Sequence, residues 1–151
     1  MEIKDITNQL KHVYGGKPWY GRTILSCLEE LVQEDLELKI NDDHSIGQIL
    51  IHMITWRRFV VNVLRNQIEK IELNSEKDWG SESGEVGEIR GAFETSQSDL
   101  LDLLNKAKDE LLTQQVPDNG FTVKIMLEGL VQHDVYHLGQ VLLMKRSLSP
   151  A

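Results

Sequence analysis

The chain has 151 residues, 40% of them hydrophobic and 26% charged, enough apolar material for one compact domain spanning residues 1–151 with its own core. A net charge of −8 and a pI near 5.1, with no local run of Lys and Arg, argue against a nucleic-acid backbone or an anionic membrane as the main partner. MEIKDITNQLKHVYGG lacks the apolar stretch of a secretory signal, nothing approaches the about 18 apolar residues of a membrane span, and the lone Cys27 has no disulfide partner, so a reducing cytoplasm is the expected setting.

Four long helical segments are predicted and almost no strand. The first is interrupted: IKDITNQLKHVY runs into GGKP, and WYGRTILSCLEELVQEDL resumes, with Pro18 suited to the first turn of the second piece. In that piece Ile24, Cys27, Leu28 and Leu31 share a face, which makes Cys27 a small core filler rather than a nucleophile. The second helix is expected to start at Ser45, because SIGQ has the form of a capping box, and to run to about Arg65. Residues 72–91 are acidic and glycine-rich and read as a long loop ordered around Trp79. The third helix is placed at about Ala92 to Leu112, with Phe93, Leu100, Leu103, Leu104 and Leu111 at helical spacing. VPDNG is a turn, and Thr122 caps the fourth helix. Four helices of this length match an all-α four-helix bundle.

On the fourth helix, GLVQHDVYHLGQVLLMKR places two imidazoles in the stripe that faces the core. At about 100° per residue, His133 and His137 lie about 40° apart, between Met126 and Met144 and beside Leu130 and Val141. The second helix repeats the pattern, with His52 among Ile49, Trp56, Phe59, Val60 and Val63. A neutral imidazole has one donor and one acceptor, and burying it unpaired costs a few kcal/mol. One such residue is usually a satisfied core histidine; three in matching register are equally well explained by a metal ion that all of them bind, with a position left open for water or substrate. Gln48, one turn before His52, is either a hydrogen-bond partner of its ring or an ordinary cap residue. Trp56 is either core or a pocket wall, and Gln140 lies one turn beyond the pair on the same stripe. His12 and His44 have no such context, and His44 is expected at the surface.

WYGRTILSCLEEL, HSIGQILIHMITWRRFVV and LVQHDVYHLGQVLLMKR together resemble the DinB-like (YfiT-like) superfamily over nearly the whole chain. The resemblance implies a four-helix bundle in which His52, His133 and His137 bind a divalent metal; imidazole suits zinc, nickel, copper or iron, and zinc or nickel is expected. It also implies an enzyme that transfers a low-molecular-weight thiol of the bacillithiol type, or a metal-dependent hydrolase. A non-catalytic metal-binding or dimerisation module is the third reading. A hydrolase usually adds a positioned carboxylate, and Asp134, about 100° round the helix from His133, is poorly aimed for that, which favours thiol transfer. No catalytic residue is assigned. The expected partners are a small-molecule substrate and a second copy of the chain in a homodimer, with no nucleic acid and no membrane.

Overall fold

Side chains that satisfy free backbone amides decide where several of the helices begin. The computed structural model describes residues 2–68 and 70–150 and is all-α: α1 (Ile3–Gly15), α2 (Ile24–Glu30), α3 (Ile46–Leu64), α4 (Glu76–Trp79), α5 (Val86–Lys106) and α6 (Val123–Leu148), with 3-10 turns at Gln33–Glu37 and Asp109–Thr113. Among the described residues the only strand-like feature is an isolated bridge between Gln115 and Thr122. No helix there is long and apolar enough to cross a membrane.

The capping box at Ser45 and Gln48 opens α3, and the Thr122 hydroxyl accepts from the Ile125 amide at the start of α6. Elsewhere the expected boundaries move. The second piece of the first segment begins at Ile24 rather than near Pro18, because Thr23 and Ser26 form a reciprocal capping box there. Residues before it are not helical, and Trp19 is 96% exposed. The face of Ile24, Cys27, Leu28 and Leu31 is buried, and α2 stops at Glu30, where Arg90 donates to the carbonyls of Leu28 and Leu31 at 2.7 Å each. The third expected helix starts six residues earlier, at Val86 instead of Ala92, since Ile89 lies one turn before Phe93 and is buried with it. It ends at Lys106, and Leu111 falls in a 3-10 turn.

The long helices meet in a ring, α3 against α5 and α6, and α1 against the same two. Two apolar clusters stack along their length. One joins Ile46, Leu50 and Met53 of α3 to Ile89 and Phe93 of α5 and to Leu138, Val141 and Met144 of α6. The other joins Phe59, Val60 and Val63 to Leu100 and Leu104 and to Met126, Leu127 and Leu130. Thus α3 and α5 run one way and α6 the other. Between the clusters lies a buried polar layer, in which Arg57 donates to Ser96 at 2.8 Å and also to Gln97 and Asp134.

The parallel course of α3 and α5 demands a long crossover, and that crossover brings α4 and the 80–85 segment back over the start of α3. Gly47 makes the approach possible: a Cβ there would lie 2.1 Å from the Ser83 carbonyl oxygen. The hydroxyls of Ser45 and Ser83 meet at 2.8 Å, and Gly80, with φ +74°, turns the chain at the end of α4.

Candidate metal centre

Antiparallel α3 and α6 bring His52 opposite His133 and His137, which lie one turn apart on α6. One ligand atom from each of the three falls within 4.8 Å of the others, a group that could hold a metal ion. Nε2 of His52 and Nε2 of His133 are 3.0 Å apart. Two nitrogens bound to zinc at about 2.0–2.1 Å in a tetrahedral arrangement stand about 3.3 Å apart, so the donor set is close to what an ion requires.

The far nitrogens show why the near ones face inward with free lone pairs. Nδ1 of His52 lies 2.7 Å from Asp78 Oδ1 and 3.1 Å from the Asp78 carbonyl oxygen, both acceptors, so the ring proton is on Nδ1. Nδ1 of His137 lies 2.7 Å from Oε1 of Gln140 and holds its proton by the same logic. Nε2 of His52 is then a bare acceptor pointing at another imidazole, an arrangement that needs a shared proton or a cation. His133 differs: among the described residues its buried Nδ1 has no hydrogen-bond partner, so nothing behind the ring holds a proton there.

Asp78 organises this corner. The indole N–H of Trp56 donates to its Oδ1 and the amide of Asn74 to its Oδ2, each at 2.8 Å. Burial alone would raise this carboxyl, but the Asn74 amide, the Trp56 indole and His52 together hold it below the usual carboxylate range. The next residue, Trp79, stacks on His52 with centroids 3.8 Å apart, and its ring also stacks on His44 at 3.7 Å. His44 is therefore half-buried against Trp79 rather than an isolated surface residue.

Burial, reinforced by the neighbouring His137 and His52, pushes the His133 imidazole down to about 3, and burial also lowers His137. These rings stay neutral at physiological pH, the state that binds metal. Among the described residues no carboxylate shares the inner face of the triad. Asp78 stands behind His52, and Asp134 is buried in its pair with Arg57.

The Gln48 side chain makes no hydrogen bond to the His52 ring among the described residues. Its Oε1 accepts from the Ser45 amide and its Nε2 donates to the Gly80 carbonyl at 3.4 Å, so it serves as cap and loop anchor while Asp78 has the place expected for it. Trp56 lines a cavity of about 290 Å³ that has His133 in its wall. A second cavity, about 460 Å³, is lined by His137, Gln140, Tyr136, Trp79 and His44. The triad thus borders open space on two sides. Cys27 is buried, its thiol pushed up to about 11 by desolvation.

Asp78 and the Arg57–Asp134 pair escaped the reading of the sequence. For the pair a signal existed. Leu127, Leu130, Leu138 and Val141 stand seven and four residues either side of Asp134, and Leu50, Met53, Val61 and Leu64 do the same around Arg57. Two opposite charges centred in apolar stripes should meet inside. Asp78 has no such pattern, because the single helical turn that carries it is too short to show a period.

A family model described as the DinB superfamily matches residues 20–141, which include all three histidines. No curated protein sequence matches the chain.

Proposed function

The chain belongs to the DinB superfamily, and we propose that it is a metal-dependent enzyme in which His52, His133 and His137 hold one divalent ion, zinc or nickel, beside a bound low-molecular-weight thiol. When bound, such an ion lowers the pKa of a coordinated thiol until it is deprotonated at neutral pH. The observation that carries this reading is the donor set: three imidazoles converge, those of His133 and His137 held neutral by burial, and among the described residues no carboxylate faces the same space. Metal-dependent hydrolases usually add a positioned carboxylate to take the proton of water, and both nearby carboxylates are committed to His52 and Arg57. A thiol that loses its proton directly to solvent needs no such base.

The chain's own groups then bind and orient. Asp78 and Gln140 keep His52 and His137 in the tautomer that presents Nε2, while Trp56 and Trp79 shield the centre from bulk water. The cavity at His137 and Gln140, with polar atoms in its wall, suits the thiol's polar body. The test is a conjugation assay with bacillithiol and a small electrophile on zinc- and nickel-loaded protein. Product should form only with both metal and thiol. Turnover of simple esters without thiol would overturn the proposal in favour of a hydrolase.

A further inference from the structure

The cavity on the other side of the triad has a different character. Trp56, Phe59, Phe121, Met126 and Leu130 form an apolar wall between α3 and α6, and the indole N–H of Trp56 is already committed to Asp78. His133 is the one ionisable group in that lining. Gly129, a further wall residue on α6, explains why the space is there. Glycine is a poor choice inside a helix, and a close backbone approach is the usual reason to find one. No such approach exists here: a Cβ built at Gly129 meets no heavy atom within 4 Å. Gly87, Gly91 and Gly139 also stand in open space, but they are exposed helix positions, whereas Gly129 is half-buried and the space beside it is the cavity.

We propose that this cavity is the subsite for the apolar part of the electrophilic substrate, an aromatic ring or branched alkyl group, kept clear by Gly129 and directing the reactive atom towards His133. An apolar cavity of about 150 Å³ accommodates benzene, so about 290 Å³ takes a ring with a short substituent. A polar group there would lose its water and find almost nothing in the wall to replace it. What happens at the reactive atom rests on the metal-dependent reading above; binding of the ring does not.

Titration with 4-fluorotoluene, followed by 19F NMR on metal-free and on zinc-loaded protein, tests the subsite. Saturable binding is expected in both forms. Gly129→Leu, which puts a side chain into the cavity while favouring the helix, should weaken it at least tenfold, and Gly139→Leu, with the same change at an exposed helix position, should leave it within twofold. Zinc uptake should be equal in all of these proteins. Absence of saturable binding to the unmodified protein, or equal affinity in Gly129→Leu, overturns the subsite. A protein that takes up no zinc yet shows the Gly129→Leu loss keeps the subsite and rejects the metal centre, so the two failures are distinguishable.

Discussion

Asp78→Asn is a change of one atom with a calculable consequence. The carboxylate accepts three hydrogen bonds through its side chain, from His52 and Trp56 on Oδ1 and from the Asn74 amide on Oδ2. An asparagine has one acceptor oxygen. If that oxygen serves His52 and Trp56, its NH2 group opposes the Asn74 amide; if it is flipped, two donors oppose the NH2 group. Either way at least one part-buried donor loses its partner, costing up to about 1–3 kcal/mol. The charge that supports His52 as a ligand is lost as well. Removing partners of this kind typically weakens metal binding about 10–100-fold, or about 1.4–2.7 kcal/mol. Competition titration of zinc against a chromogenic chelator reads this directly, with circular dichroism to verify that helix content is unchanged. Zinc affinity within twofold of the parent in a well-folded Asp78→Asn protein would refute the reasoning.

Arg57→Met should destabilise the fold by about 3–5 kcal/mol, because Asp134 is left as a buried charge without its partner; urea unfolding measures it, and a loss below about 1 kcal/mol would contradict the role given to the pair. The metal-free protein should lose stability as pH falls below about 6.5. His133, held near 3 in the fold, and His137, also lowered, refuse protons that the unfolded chain accepts, so unfolding midpoints at pH 5 should lie below those at pH 7.5. A flat profile, or one unaltered by His133→Gln, would argue against the burial assigned to these rings. Cys27→Ala should keep thiol-transfer activity, since the buried thiol is raised to about 11 and faces the core cluster of α2; a tenfold loss would reopen its role as a nucleophile.

Where the sequence carries a period, the structure was legible. The stripe through His133 and His137, the register of His52 and the caps at Ser45 and Thr122 follow from helical spacing and hydrogen-bond chemistry, and they place the three histidines on facing helices. Boundaries were less legible, because local signals competed with tertiary ones. Gly87 and Gly91 suggest a loop, yet burial of Ile89 against the core extends α5 across them. Least legible was the crossover. Asp78 and Trp79 reach His52 only because α3 and α5 run parallel and the intervening chain must return over the start of α3, closing on Gly47. Nothing in a glycine-rich acidic stretch specifies that path; it is set by the direction of helices that flank it.

X-ray absorption at the metal edge, on protein purified and then loaded with zinc, addresses the centre itself. One equivalent of zinc should bind with three imidazole nitrogens at about 2.0–2.1 Å and at least one further, exchangeable light-atom ligand, and added bacillithiol should replace that ligand by a sulfur at about 2.3 Å. His133→Ala should abolish stoichiometric uptake. Zinc held by four protein ligands with no change on adding the thiol, or no stoichiometric zinc at all, would contradict a centre built from His52, His133 and His137 for thiol chemistry.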